Sequence, residues 1–199
     1  MNLPNSLTVT RIFLVPLLVV VLLTKVKGPL ILGLPKDVVG AMIFALASLT
    51  DWADGYLARR RKQITPLGQV IDPLADKLLT SAALISLVQL DLVQSWIVAV
   101  IIGREFAVTT LRSLAYARGV PMPASPLGKI KMVAQVVAIL ALILAHGQNW
   151  PFYWLGQGAL WVVMITALVS GADYFRRFNT IISPRVTDFR LPDKTRKVG

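Results

Sequence analysis

The chain alternates long apolar runs with short polar connections, and this pattern constrains its fold more than any other feature. Runs close to the roughly 20 residues needed to cross a bilayer occupy about 6–25, 37–60, 73–90, 94–117, 128–147 and 152–176. The sequence therefore predicts an all-α, polytopic integral membrane protein with six transmembrane helices. Hydrophobic residues make up 55% of the 199 positions and charged residues 16%, against the roughly 45–50% apolar content usual for soluble domains. The first run has no Lys/Arg-rich start, is interrupted by Arg11 and is followed by no small-residue cleavage signal. It is expected to stay attached rather than to be removed as a signal peptide. No internal repeat or low-complexity tract divides the chain. Residues 1–182 are expected to form one membrane domain, and 183–199 a poorly ordered basic tail, in which Pro184 and Pro192 stand among many charges near anionic lipid.

Charge sets the expected orientation. Twenty-one Lys and Arg stand against ten Asp and Glu, a formal charge of +11. The basic residues gather at 59–62, around the fourth-to-fifth connection, and in the tail. A six-span alternation puts these three regions on one side, so the positive-inside rule places both termini in the cytoplasm. Lys25, Lys27 and Lys36 in the first connection run against the rule. Trp150, Phe152, Tyr153 and Trp154 read as an aromatic belt at the opposite interface, with His146 beside them and away from any cytoplasmic chemistry. A basic stripe interleaved with aromatics on a polar domain is missing, so nucleic acid is not an expected partner. With no cysteine and one histidine, thiolate nucleophiles, disulfides and His/Cys metal clusters are excluded. Carboxylates are left as the groups able to do chemistry.

The scarce acids are concentrated. Asp51 and Asp54 lie in the second run, and Asp72 and Asp76 open the third, although a carboxylate at a helix centre costs roughly 2.5–3.5 kcal/mol on insertion scales. Spacings of three and four residues put each pair on one helix face, and the two runs are joined by a short cytoplasmic connection. At about 1.5 Å per residue, Asp54 lies roughly 9 Å before Arg60 and Asp76 about 6 Å after Asp72. All-oxygen ligands at such a depth select hard cations such as Mg²⁺, Mn²⁺ or Ca²⁺, and two divalent ions would cancel four carboxylate charges. The plainer alternative is structural ion pairing with Arg59, Arg60 or Lys77. Gly55, Ala58 and Gly68 accompany the acids, and small residues allow a flat or phosphorylated ligand to approach backbone or simply let helices pack closely.

Read together, Asp51-x2-Asp54-Gly55-x2-Ala58-Arg59-x8-Gly68-x3-Asp72-x3-Asp76 resembles the signature of the CDP-alcohol phosphatidyltransferase family. Eight fixed residues over 26 positions make the match specific. Asn2-Leu3-Pro4-Asn5-Ser6-Leu7-Thr8-x2-Arg11, Ile102-Gly103-Arg104-Glu105-Phe106 and Ser125-x-Leu127-Gly128-Lys129-x-Lys131 look like its bacterial phosphatidylglycerophosphate synthase branch. The resemblance covers about residues 2–177. It implies an enzyme of the bacterial cytoplasmic membrane, usually a homodimer, whose site faces the cytoplasm. The implied reaction carries a phosphatidyl group from CDP-diacylglycerol to sn-glycerol 3-phosphate and releases CMP. It further implies Mg²⁺ or Mn²⁺, two ions, held by Asp51, Asp54, Asp72 and Asp76, with Asp76 also taking the proton of the attacking hydroxyl. Gly55, Ala58, Arg59, Thr65 and Gly68, with Leu3, Pro4, Asn5, Ser6 and Thr8, are implied to bind CDP-diacylglycerol.

Residue spacing adds to this. Asn5, Thr8 and Arg11 recur every three residues and form a polar stripe on the first helix, able to face a nucleotide or to serve as cap and interface anchor. Arg112, Arg118, Lys129 and Lys131 flank the cytoplasmic face where an acceptor phosphate needs cations, besides serving as ordinary flanking charge. Arg104 is expected to pair with an acid such as Asp173 or to line the cavity floor. Glu105 is expected to point elsewhere, because adjacent helix residues do not share a face. Two rivals remain at this stage: a family member using another acceptor, such as phosphatidylglycerol in a cardiolipin synthase or inositol in a phosphatidylinositol-type synthase, and a cation transporter. Transport predicts acids spread through the bilayer or repeat symmetry, whereas these acids cluster near one face.

Overall fold

The computed structural model describes the backbone of residues 3–25, 29–31, 33–61, 66–117, 126–146 and 150–182, and side chains within 10–25, 33–50, 74–115, 130–146 and 151–176. Among the described residues there are six helices: α1 (Leu3–Leu23), α2 (Lys36–Arg61), α3 (Pro66–Gln89), α4 (Ser95–Ala117), α5 (Pro126–Ala145) and α6 (Trp150–Ile182). The sequence left residues 29–35 as plain connection. They carry a small antiparallel hairpin instead, β1 (Pro29–Ile31) paired with β2 (Leu34–Pro35) and turned at Gly33, whose φ of 78° suits a residue without a Cβ. The helix α3 starts seven residues before the apolar run that announced it, so Asp72 and Asp76 lie in its second and third turns rather than at its opening. Pro66 explains the start: its fixed φ and missing N–H suit the first helical position.

The helices pack as a closed ring in which α1 touches α3, α3 touches α4, α4 touches α6, α6 touches α5, α5 touches α2, and α2 returns to α1. Polar contacts gather at one end. Lys36 Nζ donates to the carbonyls of Leu22, at 3.5 Å, and Thr24, at 3.2 Å, closing the C-terminus of α1. Its neighbour Asp37 meets His146 Nδ1 at 2.9 Å, tying the start of α2 to the end of α5. Gln157 Nε2 donates to the Leu92 carbonyl at 2.7 Å, tying α6 to the end of α3. There the chain leaves α3 through a Schellman motif, with Leu92 N bonded to Leu87 O and Asp91 N to Val88 O, both at 3.0 Å. Asp91 takes the left-handed position at φ 58°, a conformation that Asp tolerates better than most residues. These contacts collect the C-termini of α1, α3 and α5 with the N-termini of α2, α4 and α6, so the helices alternate in direction.

The interior is mainly apolar, with Leu18, Leu22, Phe44, Leu79, Leu87, Ile101, Ile139, Leu142 and Leu160 fully buried, and Arg11 and Lys131 buried among the polar exceptions. The exterior is apolar too. Phe13 is 72% exposed, Val133 65% and Phe175 64%, and large hydrophobics face outward on every helix. Water-soluble monomers rarely show such continuous apolar surface, whereas a bundle surrounded by hydrocarbon requires it. Among the described residues, Pro151–Arg176 is long and apolar enough to cross a membrane, with 26 residues and mean hydropathy 1.6, and Thr10–Leu23 and Ile130–Ala145 are shorter apolar helices.

The α5–α6 contact depends on one glycine. A Cβ on Gly156 would stand 2.6 Å from Leu142 Cγ and 3.1 Å from Leu142 N, while a Cβ on Gly158 would meet nothing within 4 Å. The backbone nitrogen cannot give way cheaply, and overpacking of this kind costs about 1–3 kcal/mol. Gly156→Ala is expected to lower the thermal unfolding midpoint in detergent by several degrees, with Gly158→Ala unchanged or slightly raised. Equal midpoints for the two variants would refute this packing.

Candidate active site

Asp51 and Asp54 lie on α2, and Asp72 and Asp76 on α3, on either side of the connection 62–65. At about 1.5 Å per residue, Asp54 is roughly 10 Å and Asp51 roughly 15 Å from the end of α2 at Arg61. By the same measure Asp72 is roughly 9 Å and Asp76 roughly 15 Å from the start of α3 at Pro66. Each pair therefore lies within a similar distance of its own helix's end at this connection. Helix α1 packs against both α2 and α3, and those two also touch each other.

Asp76 is half-buried and follows the fully buried Ala75. Its backbone carbonyl accepts from Thr80 Oγ1 at 3.0 Å, so that bond makes no use of its carboxylate. Among the described residues three cations act on that carboxylate: Lys77 beside it, Arg11 from α1 and Lys131 from α5. Lys131 lies in turn within the fields of Arg104 and Lys77, and Lys77 within those of Arg112 and Arg104. Helices α1, α3, α4 and α5 thus bring Asp76 and several cations into a single neighbourhood, at the end of the bundle opposite the Asp37–His146 contact.

Two of these cations have defined partners. Lys131 is 4% exposed and forms an ion pair with Glu105. Arg104 reaches α6, where its Nε donates to the Ala167 carbonyl at 3.2 Å and its Nη2 bonds the Ser170 hydroxyl. That contact falls one turn before Asp173, the acid expected as its partner. Glu105 does not point away from Arg104 as expected: its Oε1 lies 3.6 Å from Arg104 Nη1. The rule for neighbouring positions governs where side chains leave the helix, and two long side chains can still meet at their tips.

Of the residues anticipated from sequence, Asp76, Arg112 and Lys131 fall in this neighbourhood, with Arg112 exposed at its margin. Leu3, Pro4, Asn5, Ser6 and Thr8 lie in the first turns of α1, Gly55, Ala58 and Arg59 near the end of α2, Gly68 in the first turn of α3, and Lys129 in the first turn of α5. The side chains of these residues, and of Asp51, Asp54 and Asp72, lie outside the described set, as do Thr65 and Arg118 altogether. The sequence reading gave Lys77 only a structural part and assigned none to Glu105. The signal was present for Glu105: an acid in the middle of an apolar helix carries the same insertion penalty that drew attention to the aspartates. The donor types suit a hard divalent cation, because four aspartates on the touching helices α2 and α3 would supply oxygen ligands only.

The model of one family, CDP-alcohol phosphatidyltransferase, matches residues 1–170. The chain belongs to the CDP-alcohol phosphatidyltransferase family. Among curated members of this family, a CDP-diacylglycerol–glycerol-3-phosphate 3-phosphatidyltransferase of Bacillus subtilis (strain 168) is 46% identical over 185 residues, covering 88% of this chain and 94% of that protein. The protein of the same name from Rickettsia typhi (strain ATCC VR-144 / Wilmington) is 36% identical, covering 90% and 98%. A probable phosphatidylglycerophosphate synthase of Mycobacterium tuberculosis (strain CDC 1551 / Oshkosh) is 37% identical, covering 88% and 81%.

Proposed function

We infer that the protein transfers the phosphatidyl group of CDP-diacylglycerol to sn-glycerol 3-phosphate, giving phosphatidylglycerophosphate and CMP. The observation that carries this reading is the placing of Asp76 on α3 within the fields of Lys77, Arg11 and Lys131, a proton acceptor near cations able to hold a phosphate. The near full-length similarity to relatives with that printed name supports the choice of acceptor. The apolar exterior and the distribution of basic residues support six spans in a bacterial cytoplasmic membrane, with both termini and the site facing the cytoplasm. A homodimer is part of the same reading.

In this reading Asp51, Asp54, Asp72 and Asp76 hold two divalent cations, Mg²⁺ or Mn²⁺. When bound, the cations supply charge compensation for the pyrophosphate oxygen that departs with CMP. The protein's own groups do the rest. Gly55, Ala58 and Gly68 leave room for the cytidine diphosphate against backbone, while Arg59, Thr65 and the first turns of α1 contact it. Lys131, Lys129, Arg112 and Arg118 fix the acceptor phosphate, which orients the free hydroxyl toward the phosphorus bearing the lipid. The hydroxyl oxygen bonds to that phosphorus, the bond to the CMP oxygen breaks, and the hydroxyl proton passes to an Asp76 oxygen. Phosphoryl-group transfer asks little more of a protein than such positioning and charge compensation.

Purified protein given CDP-diacylglycerol and Mg²⁺ or Mn²⁺ is expected to release CMP only when glycerol 3-phosphate is added. Release with phosphatidylglycerol instead would reassign the acceptor and make the protein a cardiolipin synthase. No release with any alcohol would remove the transferase reading.

A further inference from the structure

We propose that Glu105 is a positioning residue for the acceptor phosphate, its carboxylate fixing the Lys131 ammonium at the wall of the site. The proposal rests on the reading of the acceptor given above. Lysine carries its charge on a long flexible stem, and Lys131 stands within the fields of Arg104 and Lys77, with Arg112 acting on Lys77 in turn. Repulsion from these neighbours would turn the ammonium outward unless a carboxylate held it. Asp76 is committed to the reacting hydroxyl, which leaves Glu105, already ion-paired with Lys131.

Glu105 is suited to the task because its own place is fixed. Its Oε1 faces both the Lys131 ammonium and Arg104 Nη1. Arg104 is tied to α6 through Ala167 and Ser170, and its stem lies along Gly171, where an added Cβ would stand 3.4 Å from Arg104 Cγ. Ser170 is 2% exposed and donates to the Thr166 carbonyl at 2.7 Å. The chain of contacts therefore runs from the α6 backbone through Arg104 and Glu105 to the Lys131 ammonium. Among the described residues Arg11, Lys77, Arg104, Arg112 and Lys131 outnumber the carboxylates Asp76 and Glu105 by three, and a phosphomonoester carries about −1.5 to −2 charges at neutral pH. The neighbourhood thus accepts the phosphate while Glu105 keeps its cations in place.

Glu105→Gln keeps the shape and removes the charge. It is expected to raise the KM for glycerol 3-phosphate at least ~10-fold, as loss of a buried charge-assisted contact does, with the KM for CDP-diacylglycerol within about twofold. Glu105→Asp, which retains the charge, is expected to fall between wild type and Gln. In a Lys131→Ala background the Gln substitution is expected to add less than about twofold, because two residues acting through one contact are not additive. An unchanged acceptor KM in Glu105→Gln, equal losses for both substrates, or full additivity with Lys131→Ala would each overturn the proposal. Should the Gln variant fail to fold, an acceptor KM unchanged in Glu105→Asp would overturn it equally. A wild type that releases no CMP with glycerol 3-phosphate would sink the acceptor reading and this proposal together, whereas an active wild type with an indifferent Glu105 sinks the proposal alone.

Discussion

Asp76→Asn is expected to cut CMP release by at least about 10³-fold while leaving CDP-diacylglycerol binding within a few-fold of wild type. A positioned general base contributes about 10²–10⁴ in rate, and this residue also supplies a carboxylate to the cation site, so the loss lies toward the upper end. Asn is nearly isosteric, and the Thr80 hydrogen bond goes to the Asp76 backbone carbonyl rather than to its side chain, so the fold of α3 has no reason to change. The acceptor should bind no worse. Removing the carboxylate leaves Lys77, Arg11 and Lys131 less compensated, which favours an anion, so the KM for glycerol 3-phosphate is expected to stay level or fall. Steady-state kinetics with CMP detection separate the two effects. Near-normal turnover, or a loss expressed chiefly in acceptor KM, would remove Asp76 as the base.

The sequence announced the helices because hydrophobic length is a strong physical signal, but it marked some boundaries poorly. Helix α3 begins at Pro66 while its apolar run begins near residue 73, because the intervening turns carry Gly68, Gln69 and Asp72. Polar residues are tolerated there where the helix serves a site rather than a lipid face. The hairpin at residues 29–35 was missed because two short strands of mixed residues offer no clear period-two pattern. The Asp37–His146 contact was missed for another reason: it joins positions 109 residues apart, and no local spacing reports that.

The candidate site was legible to the degree that its proposed chemistry is local in sequence. Asp51, Asp54, Asp72 and Asp76 stand out as candidates because spacings of three and four put each pair on one helix face. Lys131 and Glu105 come from different helices, and only the packing of α4 and α5 around α3 makes them neighbours. The rule that adjacent side chains diverge correctly describes Cβ directions for Arg104 and Glu105, yet fails at their tips. Cation-rich neighbourhoods built from long side chains are therefore harder to read from sequence than carboxylate pairs on a helix face.

Chelation of divalent cations is expected to abolish CMP release and to lower the unfolding midpoint of the detergent-solubilised protein by roughly 5–10 °C, with both effects reversed by Mg²⁺ or Mn²⁺. A ligand present at about 100 times its dissociation constant stabilises the folded state by about 2.7 kcal/mol, and in a chain of this size each kcal/mol moves the midpoint by about 2–4 °C. The sign follows from charge: in the proposed site the four aspartates of α2 and α3 would repel one another, and cations bound between them would reverse that repulsion. The plainer alternative, pairing of the same aspartates with Arg59, Arg60 or Lys77, predicts a midpoint indifferent to chelator, because those partners are covalently part of the chain. Asp54→Asn distinguishes the two further. Under cation binding it shrinks the Mn²⁺-induced shift, whereas under internal pairing it lowers the midpoint equally with and without Mn²⁺. A thermal scan indifferent to both chelator and added cation would leave the aspartates as structural ion pairs, and CMP release equally indifferent would remove the metal from the reaction.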